Sequence, residues 1–292
     1  MAAFEKQHFL PASYLKFFSD DPNKMDRGSF VWRVDKTTQR RVPVASQCHE
    51  KHFYSKEKAQ EAEQYFQTRE VIYNRIICQL MDGHVPEGKN LGDLFLCMFD
   101  IHLRNAAHEN QAGEEGFSAY MDRLNLFIGE LLIQGKPGGA THHNTKMHIQ
   151  ENWRMEIIHA ANNEMFITSD HPALVMTCTG TPTPRRALQM IILPLTPIHT
   201  AIAFDRRIMW LENKVPTQKD METLNIWQIR NSVNCIYANR ELEPQEVTAC
   251  QSHLQNKLNQ SSVMDEHGWR LHTAALPENA HFSFMKLKPL AL

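Results

Sequence analysis

The sequence has no C-x-x-C pair, no long apolar run and no surplus of one charge, and each absence closes a class of explanation. Six cysteines (Cys48, Cys78, Cys97, Cys178, Cys235 and Cys250) are scattered along 292 residues, and three fall in apolar helical patterns. They read as reduced, buried thiols and not as a disulfide framework. The longest apolar stretch, residues 94–103, is broken by Asp100 and is far short of a membrane span. Lys and Arg number 31 against 33 Asp and Glu, for a net charge of −2. That balance argues against a protein that coats DNA or lies on anionic lipid and leaves only a local basic groove. The opening MAAFEKQHF lacks the basic and apolar regions of a secretory signal. The expectation is a soluble, cytoplasmic protein with no membrane contact. G-x-S-x-G, H-E-x-x-H, Rossmann and kinase signatures are missing too, so serine-hydrolase, zinc-protease and nucleotide-kinase chemistry have no support. The glycine cluster at 135–139 is no phosphate loop, since it does not match G-x-x-x-x-G-K-[ST] and no strand precedes it. Histidine alone is abundant, at 16 residues.

What is present is ordinary globular composition, 42% hydrophobic and 22% charged, enough for one large domain or two modest ones. After a short helix over 12–18, alternation at 30–35 and a returning run at 41–44 read as a β-hairpin. Ser55 stands where it can cap a long helix over 56–81. A second helix, 91–110, is apolar on nearly every face, with Asp100 and Arg104 as its polar exceptions. A third spans 117–134, and the residues near 135–143 are the best candidate for an internal boundary. Helix is expected again over 144–161. Short apolar runs at 165–168, 173–177, 190–195 and 200–204 suggest a small antiparallel sheet. Thr217 and Asp220 resemble a capping box for a helix reaching 237; a more polar helix over 243–259 and a closing hairpin (269–273, 281–285) complete the chain. The fold class is α+β: a mainly helical body with an N-terminal hairpin and a small antiparallel sheet.

The stretch FITSDHP, residues 166–172, holds Asp170 and His171 on a corner whose geometry Pro172 restricts. Together with QHFLPASYLKFF, VWRVDK, FYS, YFQTRE, LFLCMFDIHLR, ILPLTP and METLNIWQIRN, in that order, it resembles a bacterial family of unknown function, the one numbered forty-two thirty-eight. The resemblance covers roughly residues 6–240 as a single domain and leaves 241–292 as a C-terminal extension. It implies a bacterial protein of mobile or accessory gene neighbourhoods, a setting that includes defence systems, and brings no settled activity. Its recurring polar positions match His8, Glu70, Arg104, Asp170 and Asn225, while His171 stands where asparagine is commoner.

Each of these positions has two readings. Asp170 is a metal ligand or general base, or else its carboxylate bonds nearby backbone N–H groups. Glu70, with Glu63 two turns earlier on the same stripe, is part of a carboxylate pair for Mg²⁺ or Mn²⁺ or for acid/base work, or else an ion-pair partner of Arg104. Arg104 clamps a substrate phosphate, or pairs with Asp100 one turn before it. His8 is a general acid/base or a hydrogen-bonded core residue. Asn225 and Asn231 most simply satisfy backbone groups. His142, His143 and His148 resemble a metal tract but lack a third ligand type at zinc spacing. Because His8, Glu70, Arg104 and Asp170 each break an apolar pattern, they are expected to converge. Two functions are then open. One is a metal-dependent phosphodiester hydrolase, nuclease-like, acting on nucleic acid or nucleotide: Glu70 and Asp170 hold the cation, His8 transfers protons and Arg104 holds phosphate. The other is a non-catalytic binding or sensor module for a protein encoded in the same operon, with the polar cluster as a structural network.

Overall fold

A computed structural model describes residues 6–22, 28–51, 53, 58–104, 117, 120–121, 151–161, 164–177, 188–207, 209–212, 215–256, 273–275 and 282–287. Five helices and thirteen strands lie among them, an α+β fold. The expected helix over 117–134, the glycine cluster, the three clustered histidines and Ser55 fall wholly or mostly outside the described residues.

Two sheets form the frame. In the first, β2 (Phe30–Asp35) and β3 (Gln39–Pro43) pair antiparallel, with Val31 opposite Val42. The pair does not stand apart at the N-terminus. β2 also pairs with β11 (Cys235–Ala238), which pairs with β6 (Thr168–Ser169), so half of this sheet comes from the second part of the chain. The second sheet has the order β12-β7-β8-β9-β5, with β5 Trp153–His159, β7 Leu174–Thr177, β8 Leu188–Thr196, β9 His199–Asp205 and β12 Thr273–Ala275. All its pairings are antiparallel except that of β12 with β7.

β5 overturns the helix expected over 144–161 from residue 153 onward, while residues 144–150 lie outside the described residues. Residues 155–158 are all buried, because both faces of this sheet are covered. The stretch carries two spacings: Trp153 and Ile157 stand four apart, as on a helix face, but Trp153, Met155 and Ile157 also alternate with Arg154 and Glu156, and the structure follows the alternation. One face carries Met155, Ile157, Ile191, Leu193, Ala201 and Ala203. It meets the core made with α1 (Ala12–Lys16), α2 (Ala59–Met81) and α3 (Lys89–Leu103). The other face carries Ile158, Met190, Ile192, Ile202 and Phe204, and is covered by Met221, Leu224 and Trp227 of α4 (Gln218–Asn231) together with Phe282 and Phe284.

Helix ends follow local chemistry. α2 stops where Gly83 takes φ +84 and donates to the Leu80 carbonyl, a left-handed conformation that glycine adopts without steric cost. α4 opens with the expected capping box, the Thr217 and Asp220 side chains each bonding the other's backbone N–H. It ends at Asn231, earlier than the expected 237, and residues 235–238 form the strand β11 instead.

The end of the chain is built into the same frame. α5 (Pro244–Asn256) packs on β2, β12 on β7, and β13 (Met285–Leu287) on β10 (Met209–Leu211). Much of the expected closing hairpin lies outside the described residues, and the strands described there, β12 and β13, join different partners. Cys48, Cys97, Cys235 and Cys250 are buried free thiols, whereas Cys78 is exposed.

Candidate functional site

Arg104 ends α3 with its side chain 2% exposed, and four groups surround its guanidinium. Nη1 lies 3.1 Å from Glu70 Oε1 on α2 and 3.9 Å from Asp100 Oδ2 one turn earlier. Nη2 donates to the same Glu70 oxygen at 3.2 Å and to the His8 backbone carbonyl at 2.9 Å. The guanidinium carbon stands 3.9 Å from the centre of the Phe66 ring. Both predicted partners, Glu70 and Asp100, are thus present at once. The planar fork suits this arrangement, since it presents several N–H groups in fixed directions while its face rests on an aromatic ring. Ser13 Oγ, on α1, donates to Glu70 Oε2 at 3.4 Å. Asp100 accepts from the buried Tyr120 hydroxyl.

Three expected site residues therefore meet: His8, Glu70 and Arg104. His8 joins through its backbone; its ring lies edge-to-face 5.3 Å from that of His49, which is opposite it where β1 (Lys6–His8) pairs with β4 (His49–Lys51). Glu63 shares the stripe of Glu70. Burial, and then the Glu70 charge, push its carboxyl above the usual range, with Arg104 pulling the other way.

Asp170 is engaged elsewhere. Its Oδ1 accepts from the Val233 N–H and its Oδ2 from the Asn234 N–H, both at 2.7 Å, and its own N–H donates to the Cys235 carbonyl at 3.2 Å. The carboxylate is 2% exposed and steers the chain into β11. The donors are backbone groups distant in sequence and not the nearby N–H groups of a local turn, which corrects the second reading of Asp170. Burial and then the Asp170 charge push the nearby Cys235 thiol to about 12, which makes it a poor nucleophile.

The corner itself is held by a row of amides. Asn225 accepts from the Ile167 N–H at 3.1 Å and donates to the Met165 carbonyl at 2.9 Å. Gln228 donates to the Pro172 carbonyl at 2.7 Å and accepts from Ser169 Oγ at 3.3 Å. Asn231 donates to the His171 carbonyl and, at 3.4 Å, to that of Ala173. Steps of three place these side chains along one side of α4. Through this row the corner, with its first half in one sheet and its exit in the other, is fastened to a single helix. His171 Nε2 is 3.3 Å from His102 Nδ1 on α3, and that same nitrogen is 3.3 Å from the Ala173 carbonyl. An imidazole N–H shared between a carbonyl oxygen and a lone pair accounts for both contacts, which makes His102 the donor.

Sequence reasoning passed over Gln228, His102 and Tyr14. The amide spacing 225, 228, 231 was a readable signal for Gln228. Nothing local marked Tyr14, whose buried hydroxyl joins Thr168 Oγ1 at 2.6 Å and the Pro194 carbonyl at 2.8 Å across the core. Elsewhere, burial and then the adjacent His159 lower the His199 imidazole to about 4.

Among the described residues no group of three or more His, Cys, Asp or Glu side chains is placed to hold a metal ion, and no helix is long and apolar enough to cross a membrane. No curated protein and no solved structure gives a match to the chain. A family model described as "Protein of unknown function (DUF4238)" matches residues 6–241, a span that holds the Arg104 cluster, the corner and the whole of α4. The chain belongs to that family.

Proposed function

We propose that this protein is a non-catalytic binding or sensor module whose partner is a protein, of the kind encoded beside it in a bacterial accessory or defence operon. The saturation of Arg104 carries this reading. Its guanidinium is 2% exposed and is taken up by Glu70, Asp100, the His8 carbonyl and the Phe66 face, which leaves little of its fork to receive a phosphate. Both oxygens of Asp170 are likewise bonded to backbone N–H groups. A catalytic carboxylate pair for Mg²⁺ or Mn²⁺ needs oxygens turned towards a shared cation. The net charge of −2 supports a protein partner over nucleic acid.

One observation favours the hydrolase reading: Glu63, half-buried beside Glu70 with its carboxyl pushed up, has the environment of a general acid. The two readings separate in one experiment. Purified protein is mixed with Mg²⁺ or Mn²⁺ and RNA, DNA or nucleotides, wild type beside Glu63→Gln and Glu70→Gln. The binding module leaves every substrate intact. Cation-dependent turnover that either folded variant abolishes overturns the proposal and establishes a hydrolase.

A further inference from the structure

Two histidines face each other where the second sheet meets solvent. His159 ends β5 directly opposite His199, the first residue of β9. The next pair outward, Ala160 and Ile198, is joined by a bond from the Ala160 N–H to the Ile198 carbonyl at 2.9 Å. Bonded and non-bonded pairs alternate along antiparallel strands, so His159 and His199 are a non-bonded pair, the kind whose side chains stand closer. Their ring centroids are 4.7 Å apart with the planes at 75°. His159 is exposed and His199 is 6% exposed, so one ring is held by the core and the other reaches into water. Thr196 Oγ1 lies 2.9 Å from His199 Nδ1 and also accepts from the Ile198 N–H at 3.2 Å. A hydrogen bond at one imidazole nitrogen is how proteins orient the other towards a metal; here it leaves Nε2 for that role.

We propose that His159 and His199 form a two-histidine site for a late first-row divalent cation (Cu²⁺, Ni²⁺ or Zn²⁺), with the remaining coordination positions open to water or to a ligand from a partner. Imidazole nitrogen suits these ions, whereas Mg²⁺ and Mn²⁺ favour oxygen. His199 is the fixed ligand. The exposed His159 ring turns about its side-chain bonds to complete the pair. A cation held this way ties the edge strand β5 to β9 and stabilises the folded chain, since the unfolded chain does not bring the two rings together.

Calorimetric titration and thermal unfolding with Cu²⁺, Ni²⁺, Zn²⁺ and Mg²⁺ test this, using wild type, His159→Ala, His199→Ala and, as a control, His84→Ala, which changes an exposed histidine on the loop between α2 and α3. The expected result is a rise in Tm with the first three ions, Cu²⁺ binding tightest, and no response to Mg²⁺. One binding equivalent disappears in both His159→Ala and His199→Ala and survives in His84→Ala. His159 is exposed, so its variant reports even where His199→Ala fails to fold. Equal stoichiometry and affinity in wild type and folded His159→Ala place any binding at other histidines and overturn the proposal. The test is independent of the hydrolase question, which concerns oxygen-ligated Mg²⁺ or Mn²⁺ at other residues.

Discussion

At the scale of single residues, Arg104 has the largest consequence, because its charge is buried and its partners come from three segments of the chain. Arg104→Ala removes the cation bonded to Glu70 and the nearer of the two cations beside Asp100, Arg69 being the other, and takes a donor from the His8 carbonyl. The expected loss is about 3–5 kcal/mol, the range for removing one partner from a buried ion pair, measured by denaturant unfolding. Arg104→Lys recovers only part of it, since an ammonium cannot reproduce the fork. Glu63 acts in the opposite sense. Burial and the Glu70 charge raise its folded-state pKa above the unfolded value. The folded protein then holds the Glu63 proton more tightly than the unfolded chain, and ionising this group at neutral pH disfavours folding. Glu63→Gln is therefore expected to raise Tm at pH 7. The advantage shrinks as pH falls through the raised pKa and is gone below the ordinary glutamate pKa near 4.3. A Tm difference that does not narrow towards acid contradicts this account.

At the scale of elements, α4 holds the corner through side-chain amides bonded to main-chain atoms. Gln228→Ala removes one donor and one acceptor inside the core, and the Pro172 carbonyl and Ser169 hydroxyl then lose a partner that water cannot easily replace. The expected cost is about 1–3 kcal/mol, with faster hydrogen exchange over 166–177. Unchanged exchange there would mean that packing, not the amide row, fixes the corner. Some of this level was visible in the sequence. The capping box at Thr217 and Asp220 was readable because both of its members lie within one turn. The Glu70–Arg104 pair was readable because each residue breaks an apolar helical pattern. The strand nature of β5 was not decided by pattern alone, since Trp153, Met155 and Ile157 alternate with Arg154 and Glu156 while Trp153 and Ile157 also stand four apart, as on a helix face. Nor was the engagement of Asp170, whose donors lie some sixty positions away at Val233 and Asn234. Sequence marks a polar residue in an apolar setting; it does not say which distant donors meet it.

At the scale of the molecule, the last segment is a structural member and not an appendage. Asp220 accepts from the Ser283 N–H at 2.8 Å and from its hydroxyl, so the cap of α4 is also the clasp that holds Phe282 and Phe284 against Trp227. Truncation after residue 256 uncovers Trp227, Met221 and one face of the second sheet. The expectation is a chain that binds hydrophobic dye and unfolds several degrees lower, as follows from losing at least two buried aromatic side chains. A truncated chain with native Tm would show that the family span, residues 6–241, together with α5 is self-sufficient.

The amide row on α4 also bears on how the corner can evolve. Gln228 and Asn231 read carbonyls that every amino acid possesses, so this contact places no demand on the side chain at position 171. His102, across the core, does place one, through its contact with the His171 ring. Changes at 171 should therefore be tolerated by α4 and limited by position 102, and the two positions should drift as a pair: an asparagine at 171 in a relative calls for a different residue, or a different tautomer, at the position equivalent to His102. Swapping both positions together should cost less stability than the sum of the single swaps.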